Sequence, residues 1–314
     1  MEAKTATGAV DHGGTGGRVW RIRRRLPLYI MVLPALVAMI LFSYYPMYGI
    51  VIAFQNFKPL LGIRRSAFVG LDNYARLFSL PATWNIFRNT LVIAIGKIVL
   101  GQVVGVIVAL LLNEMRLVWY KRLIQSLTYL PHFLSWVIFG GMMLDILMRD
   151  ALVNQAIGAL GLPRIPFLTS STVFPFTLVL TEVWKEFGWS AIIYLAALTS
   201  INPDLYEAAA VDGAGRFQQV WYITLPGIAS TIVLLACLNL GSILNAGFEQ
   251  VLVLQNPQVL SSGEIIDTFV YKTGLLNFQY SLATAVGLLK GVVSLILIGL
   301  SYYLADRLAN YRIF

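Results

Sequence analysis

The stretch that decides the fold reads Glu207-Ala208-Ala209-Ala210-Val211-Asp212-Gly213-Ala214 and is completed by Ile223-Thr224-Leu225-Pro226. It is a polar segment in a hydrophobic chain: apolar runs precede it at 190–198 and follow it at 228–240. A polar segment of about 25 residues between two membrane crossings has to face water or another protein. We interpret it as the place where a partner protein pushes on a membrane protein.

The composition excludes a soluble fold. The chain of 314 residues is 58% hydrophobic and 12% charged, with a mean hydropathy of +0.75. Since its apolar residues fall into several long runs, it is predicted to be a polytopic membrane protein. The net charge of +8 does not indicate nucleic acid, because the basic residues cluster at the ends of apolar runs, as at 18–25, where such residues anchor and orient membrane helices.

Six apolar runs predict six transmembrane helices with both termini on the same side of the membrane. Lys and Arg are more frequent in the segments on the side of the termini, which predicts that both termini are cytoplasmic. The tail 1–25 is predicted to be disordered and basic, and 26–314 to form a transmembrane domain with the loop 201–226. The predicted spans are 28–54, 90–112, 123–148, 173–198, 228–248 and 282–304, with outer loops at 55–84, 149–171 and 249–280.

Few residues suit redox or metal chemistry. Cys237 is the single cysteine, and the two histidines, His12 and His132, lie far apart in sequence. We therefore expect no internal disulfide, no metal and no redox cofactor. The first apolar run is too long for a signal peptide and no small-x-small cleavage site follows it, so we expect it to remain as a helix.

The polar loop has local signals for a short helix and a turn. Asn202 is a good helix cap and Pro203 suits the first helical position, which predicts a helix that ends near Val211. Gly213 and Gly215 then allow a turn. A helix-turn-helix that lies along the membrane surface is the expected product.

An isolated Glu-Ala-Ala is usually only a turn of an Ala-rich helix, but the full pattern here is much longer. Glu-Ala-Ala, three residues, Gly, nine residues and Ile-x-Leu-Pro resembles the cytoplasmic signature loop of ABC-importer permeases, and Asp212 and Ala214 extend it toward the carbohydrate-uptake subfamily. The resemblance covers nearly the whole chain after 26 and is nearest to permeases for complex saccharides, the lipoprotein-associated polysaccharide and alginate-oligosaccharide group. It is also carried by the stretches 46–49, 68–74, 129–136, 184–189 and 247–250.

This resemblance implies an all-α integral membrane protein of about six transmembrane helices with the type I ABC-importer permease fold and a cytoplasmic coupling helix. It implies a multi-pass protein of the bacterial inner membrane that works with a second, homologous permease, two ATPase subunits and an extracytoplasmic solute-binding protein. The sequence has no Gly-x-x-x-x-Gly-Lys-Ser/Thr motif, so Mg-ATP is expected in the partner ATPases and the chain itself is not expected to be an enzyme. The residues expected to couple to the ATPase are Glu207, Ala208, Ala209, Asp212, Gly213, Ile223, Leu225 and Pro226.

Ionisable residues at membrane depth usually face a cavity or a partner, so those in span four are candidates for a translocation pathway. They share one helix face with a tryptophan: Glu182, Lys185, Glu186 and Trp189. The alternative is an internally paired cluster in which Glu182 binds Lys185 at i,i+3.

Span five carries a stripe of hydrogen-bonding side chains, which carbohydrate hydroxyls would need: Asn239, Ser242, Asn245 and Glu249. The alternative is interhelical hydrogen bonding to the partner permease. Lys97 and Lys290 lie too deep for easy snorkelling, so they are candidates to offset the charge of a uronate, or to pair with Asp or Glu. Trp184, with Trp189, is a candidate for stacking on sugar rings.

The sequence thus predicts the permease subunit of an ATP-driven importer of oligosaccharides or polysaccharides, including uronate-containing ones such as alginate, in contact with membrane lipid and not with nucleic acid. The alternatives are an ion-coupled secondary transporter and an ABC permease for a ligand other than a saccharide. An exporter subunit or a membrane scaffold is a further rival. A membrane enzyme is disfavoured because no His, Cys or Ser constellation suits catalysis.

Overall fold

The computed structural model describes residues 16–309. The chain divides into two compact units whose boundary lies between Val51 and Ile52.

From Gly16 onward, the first unit is a long helix with an irregular end. Helix α1 spans Gly16–Met39, a π-helical turn follows at Ile40–Tyr44, and α2 spans Tyr45–Met47. Pro46 explains the irregularity, because a proline inside a helix removes a donor and its ring collides with the preceding turn. The helix thus begins within the predicted tail 1–25, of which residues 1–15 lie outside the described part of the chain.

The second unit is almost entirely helical. A 3₁₀ helix at Tyr48–Phe54 leads into it, and its two short strands, β1 and β2, form an antiparallel pair. The elements that follow are β1 Gln55–Asn56, α3 Gly62–Arg65, β2 Ala67–Phe68, α4 Asp72–Ser79, α5 Ala82–Asn113, α6 Val118–Tyr129, α7 Trp136–Leu147, α8 Leu152–Ala159, α9 Phe174–Leu198, α10 Asp204–Val211, α11 Arg216–Gln219, α12 Leu225–Gly241, α13 Phe248–Leu254, α14 Leu260–Gly263, α15 Ile266–Tyr271 and α16 Tyr280–Ala309.

Several of these helices are long and apolar enough to cross a membrane. Within residues 16–309 four qualify by themselves, and the pair Val118–Phe133 and Trp136–Ala159 makes a fifth if these two halves, bent by 103°, form one broken span. Helix α9 has 25 residues, enough to cross at 1.5 Å per residue, but it carries Glu182, Lys185 and Glu186. The predicted all-α membrane fold is confirmed. The four apolar helices are Leu28–Phe54, Ala82–Asn113, Arg216–Gly241 and Tyr280–Arg307.

The prediction of span three as one helix over 123–148 is wrong. Helix α6 ends at Tyr129, a 3₁₀ turn occupies Leu130–Phe133, and α7 starts after the break. The cause is local, because Pro131 interrupts the helix and the hydroxyl of Ser135 accepts a hydrogen bond from the Ile138 amide, which caps the new one.

The predicted bounds of span five, 228–248, are wrong at both ends. A continuous helix starts at Arg216, passes through a π-helical turn at Val220–Thr224 and ends at Gly241. Beyond it the chain unwinds and turns at Gly247, whose φ of +91° suits glycine alone. The predicted outer loop 249–280 contains three helices, α13 to α15, with buried side chains, so it is folded inside the protein.

Helices α5 and α9 pack closely, and this contact places the polar residues of both. At Gly105 of α5 an added Cβ would lie 3.2 Å from atoms of Ser190 and Tyr194 on α9. Because the glycine has no side chain, the two backbones approach closely. The larger apolar core surrounds the first half of α5, and a smaller one joins its second half to α9 and α12.

Candidate functional site

A cavity of about 320 Å³ lies between α5, α9 and α12. It has polar side chains from all three helices and from the unwound segment after α12. Ligand pockets in helical bundles have this form, with apolar walls and a few converging polar groups. Its lining residues are Ala94, Lys97, Ile98, Gly101, Gln102, Glu182, Val183, Glu186, Phe187, Ser190, Ile193, Tyr194, Leu235, Asn239, Ser242, Ile243 and Asn245.

Lys97 of α5 is the cation of the cavity wall, and its side chain is only 10% exposed. Its Nζ lies 3.3 Å from Oε2 of Glu182 and 2.6 Å from the carbonyl oxygen of Ala246, and it also donates to Oε1 of Gln250. The Ala246 carbonyl belongs to the unwound segment, where no helix supplies its donor. Lys97 therefore donates hydrogen bonds both to the Glu182 carboxylate and to a backbone carbonyl that has no helical partner.

Gln250 extends this network into α9. Its side-chain amide donates to the carbonyl of Leu178 at 2.7 Å and to the hydroxyl of Thr181 at 2.8 Å, and the residue is fully buried. Through Lys97 and Gln250, the unwound segment and α13 are tied to α5 and α9. Buried polar networks of this kind fix one arrangement of the helices when every member is satisfied.

A second charged cluster joins α9 to the break between α6 and α7. Oε2 of Glu186 lies 2.6 Å from Nδ1 of His132, and Nζ of Lys185 lies 3.1 Å from Oε1 of Glu186 and 2.8 Å from the His132 carbonyl. The His132 ring also stacks on Trp189, with a centroid distance of 4.3 Å. The cluster thus holds the interrupted helix against α9.

The charged residues pair differently from the alternative considered from the sequence. Glu182 pairs with Lys97 and Lys185 with Glu186, and not Glu182 with Lys185. Lys290 binds a carboxylate too, with Nζ 2.6 Å from Oδ1 of Asp267. Both candidate uronate-binding lysines are therefore paired with acidic side chains of this chain.

Six of the eleven predicted pathway residues line the cavity together. They are Lys97, Glu182, Glu186, Asn239, Ser242 and Asn245. The other five lie outside its lining: Lys185 is buried and bound to Glu186, Lys290 is bound to Asp267, Trp184 makes a T-shaped contact with Phe139, Trp189 stacks on His132, and Glu249 is exposed in the first turn of α13.

The stripe predicted on span five does not lie on one helix face, because the helix ends at Gly241. Asn239 is in the last turn of α12, and Ser242 and Asn245 belong to the turn after it. All three residues line the cavity, whereas Glu249, which lies beyond the turn at Gly247 in α13, does not. The prediction was wrong because it applied the 3.6-residue period of a helix across Gly241, where the helix ends.

The polar loop forms a surface of short helices. The side chain of Asn202 accepts a hydrogen bond from the Asp204 amide at 3.1 Å at the start of α10, as expected of a cap. The helix ends at Val211 and the chain turns at Gly213, whose φ is +80°. The predicted short helix and glycine turn are both present. The predicted second helix is not separate from span five, because α11 continues into α12.

Exposed apolar side chains surround the acidic residues of this loop. Glu207, Ala208, Asp212, Gly213 and Pro226 are exposed, whereas Ala209, Ile223 and Leu225 are half-buried. Val211 is 88% exposed, and Leu205, Phe217, Trp221 and Tyr222 are also exposed. A surface with this mixture of aromatic and aliphatic side chains is typical of a protein interface.

Two contacts hold the loop in place. The Tyr206 hydroxyl lies 3.0 Å from the Thr224 hydroxyl, which joins α10 to the π-helical turn. Arg216 lies 3.7 Å from Glu114, which joins the loop to the end of α5. The loop therefore contacts the end of α5 and the start of the helix that continues into α12.

Comparison with known proteins places this arrangement in a family. Residues 101–313 match the family described as the binding-protein-dependent transport system inner membrane component. The chain belongs to this family. The predicted recognition as an ABC-importer permease is confirmed.

Relatives of this inner membrane component extend the match over most of the chain. The polygalacturonan/rhamnogalacturonan transport system permease protein YteP of Bacillus subtilis (strain 168) is 45% identical over 288 residues, which are 91% of this chain and 90% of YteP. Protein LplB of the same organism is 41% identical over 294 residues, which are 93% of this chain and 92% of LplB.

Solved structures agree with the fold. A chain in the crystal structure of a bacterial alginate ABC transporter in complex with an alginate pentasaccharide-bound periplasmic protein has a TM-score of 0.84 and 34% identity, with 94% of this chain and all (100%) of that chain covered. A chain of the MetNI methionine ABC transporter, at 19% identity and a TM-score of 0.52, covers 74% of this chain and 98% of its own length, and supports the fold alone.

Several polar residues of this inner membrane component were not singled out from the sequence. Gln102, Ser190 and Tyr194 line the cavity, while His132 and Gln250 hold its charged residues in place. His132 and Gln250 lie within the stretches 129–136 and 247–250 that carried the resemblance. The sequence signal for His132 is its position directly after Pro131, where the helix breaks. The contacts that give the two residues their roles, His132 with Glu186 and Gln250 with Lys97, join positions far apart in sequence, so neither could be predicted from local pattern.

Proposed function

We propose that this chain is the permease subunit of an ATP-driven importer that moves oligosaccharides or polysaccharides, neutral or uronate-containing, delivered by an extracytoplasmic binding protein. One observation carries the proposal: the helix that starts at the exposed loop, Arg216–Gly241, ends at the polar cavity. At 1.5 Å per residue its 26 residues extend about 39 Å. A displacement at the loop is thereby delivered to the cavity.

Saccharide import is supported by the relatives. YteP is named as a permease for polygalacturonan/rhamnogalacturonan, and the 34% identical structure is that of an alginate transporter. The cavity wall suits such ligands, because amide, hydroxyl and carboxylate groups can donate to and accept from sugar hydroxyls. We infer that Asn239, Ser242, Asn245, Glu182 and Glu186 form the ligand-facing part of the pathway.

The chain works in an assembly. We infer a second, homologous permease subunit, two ATPase subunits that hold Mg-ATP, and a binding protein outside the membrane. The absence of a phosphate-binding loop from the sequence supports a separate ATPase. The basic cluster at 18–25 favours cytoplasmic termini, and with them a cytoplasmic loop at 201–226.

The loop is the coupling surface for the ATPase. Glu207 is exposed in the first turn of α10, next to the exposed Ala208 and one turn before the exposed Val211. A buried apolar contact with a charged partner at its edge is the usual composition of such an interface. When the ATPases close on ATP, the two permeases' loops move together and the attached helices open the outer side; on hydrolysis the ligand passes inward without covalent chemistry.

An ion-coupled secondary transporter is the second candidate, because charged residues lie within the helices. In such a transporter Lys97 and Glu182 would carry the coupling ion. Their mutual pairing, with Gln250 and Ala246 as further partners, favours a structural role.

Purification of the assembled complex followed by ATPase measurement tests the proposal. We expect that the binding protein loaded with a galacturonate oligosaccharide or a neutral oligosaccharide stimulates hydrolysis severalfold, and that empty binding protein stimulates it less. Uptake that survives ATP depletion but collapses with the ion gradient would instead establish the secondary transporter. Stimulation by a non-saccharide ligand alone would retain the importer and remove the saccharide assignment.

A further inference from the structure

Lys97, the cation of the cavity wall, has no N–H donor left for a ligand. An ammonium group has three N–H donors. Those of Lys97 are used by Glu182, the Ala246 carbonyl and Gln250, and its side chain is 10% exposed. A ligand carboxylate that bound Lys97 would have to displace one of these buried partners and leave it unsatisfied, which is unfavourable.

Lys185 is also unavailable to a ligand in the cavity, because it is buried and does not line it. It is 6% exposed, and its Nζ donates to the His132 carbonyl at 2.8 Å and to Glu186 at 3.1 Å. It does not line the cavity, and Lys290 is bound to Asp267 elsewhere. In the part of the chain that the structure describes, Lys97 is the one basic side chain of the lining.

The groups turned toward the cavity are acceptors and amides. Glu182 and Glu186 are one helical turn apart on the same face of α9 and are 26% and 32% exposed. Lys97 holds Oε2 of Glu182, so Oε1 is the acceptor available to a ligand. Gln102 and Asn239 add neutral donors and acceptors beside them.

Each carboxylate of the wall is paired with a buried lysine, Glu182 with Lys97 and Glu186 with Lys185, and Lys185 lies outside the lining. A neutral sugar hydroxyl that enters can donate to a carboxylate in a charge-assisted hydrogen bond, which is roughly twice as strong as a neutral one. A uronate carboxylate that enters meets two carboxylates and no free cation, and like charges placed together in a binding site are repelled.

We infer that this cavity binds the hydroxyl faces of a saccharide and turns carboxylates away, with Glu182 and Glu186 as its specificity-determining residues and Lys97 as a positioning residue for Glu182. The inference rests on the proposed saccharide importer. It implies that the carboxylates of a uronate ligand face the second permease subunit or water during passage. Neither Lys97 nor Lys290 then offsets the ligand's charge.

Uptake of a charged and a neutralised form of the same sugar tests this. Proteoliposomes with the full complex and saturating binding protein are given a galacturonate trisaccharide or its methyl ester. The ratio of free-acid to ester uptake in each variant is divided by the wild-type ratio, so that the preference of the binding protein cancels. We expect Glu182→Gln to raise this ratio about tenfold, which corresponds to about 1.4 kcal/mol, because it leaves the charge of Lys97 uncompensated.

Glu186→Gln should raise the ratio in the same direction, and it carries the test if the Glu182 variant does not assemble. Glu249→Gln is the matched control: the same change in an exposed residue outside the cavity, with an expected ratio within about twofold of wild type. An unchanged ratio in both cavity variants, or an equal rise in the control, would overturn the inference.

The double variant Lys97→Met/Glu182→Gln separates positioning from direct binding of the ligand, because it leaves neither charge of the pair behind. We expect it to lower uptake of both sugars, since the Ala246 carbonyl and Gln250 lose their partner, and to leave the ratio of free-acid to ester uptake at or above the wild-type value. A ratio well below that of the wild type would show that Lys97 binds the carboxylate and would overturn the inference. If the wild-type complex takes up neither sugar, the proposed function fails and the inference fails with it, whereas uptake with an unmoved ratio removes the inference alone.

Discussion

The cavity between α5, α9 and α12 and the loop between α9 and α12 are built in opposite ways. In the cavity, the charged groups are paired with one another and the polar atoms point inward. In the loop, Glu207 and Asp212 face outward together with exposed apolar side chains such as Val211. The charged groups of the cavity have their partners within this chain, whereas the loop has the composition of a surface that a partner covers. Substitutions in the two regions should therefore fail in different assays.

The largest effect is expected at the turn of the loop. Gly213→Val places a β-branched residue at φ +80°, a conformation that such residues strongly disfavour. We expect uptake to fall at least about 100-fold, because α10 is misplaced relative to the ATPase. The matched control is Gly215→Val, at φ −71°, where the backbone is ordinary. Equal losses in uptake from both variants would show that the left-handed turn is not what positions α10.

The next largest effect is expected at Glu207. Glu207→Ala should abolish the stimulation of ATPase activity by loaded binding protein and reduce uptake by about 10- to 100-fold, as loss of a central interface contact does. Insertion and thermal stability should be unchanged, because the side chain is exposed. Asp204→Ala, on the first turn of the same helix, is the control. Retention of full stimulation in the Glu207 variant contradicts the assignment of the loop as the coupling surface.

A stability effect without a coupling effect is expected in the cavity wall. Lys97→Met removes one member of a buried ion pair and should destabilise the protein by about 3 kcal/mol. Lys290→Met should cost less, about 1 kcal/mol, because the Lys290–Asp267 pair is more exposed and has fewer partners. Thermal unfolding of the purified complexes, followed by tryptophan fluorescence, compares them. A Lys290 variant as unstable as the Lys97 variant would contradict the role of the network around Ala246.

The smallest effect is expected at the helix break. His132→Phe keeps an aromatic ring on Trp189 but loses the contact with Glu186, at an expected cost of about 1 kcal/mol. His132→Ala loses both contacts and should cost about 1 kcal/mol more. The melting temperatures of the two purified variants measure the difference. If they are equal, the stack contributes nothing and the Glu186 contact alone holds the break.

The loop could be predicted from the sequence because its signals are local. A cap at Asn202, a helix to Val211 and a glycine turn at Gly213 each depend on neighbours within a few residues. The all-α membrane fold was predictable for a similar reason, since the length of an apolar run is a property of the run itself.

The cavity could be predicted only in part. Helix period correctly grouped Glu182 with Glu186, which lie on one uninterrupted helix. It failed across the break at Gly241, and it could not indicate that Lys97 meets a glutamate 85 residues later. The lysine pairs depend on which helices pack together, and a single sequence contains no local record of that packing.

The pairing of Lys97 also constrains how the protein is made. Its helix emerges 85 residues before Glu182 and 153 residues before Gln250. At about 5–20 residues per second of synthesis, the lysine waits roughly 4 to 17 seconds for Glu182 and roughly 8 to 31 seconds for Gln250. The surrounding helix has a mean hydropathy of 2.4, which offsets the insertion cost of one lysine, about 2.5–3.5 kcal/mol. Lys97 thus enters the bilayer before its ion-pair partner has been synthesised. The native arrangement around it forms only when α9 and α13 have packed against α5.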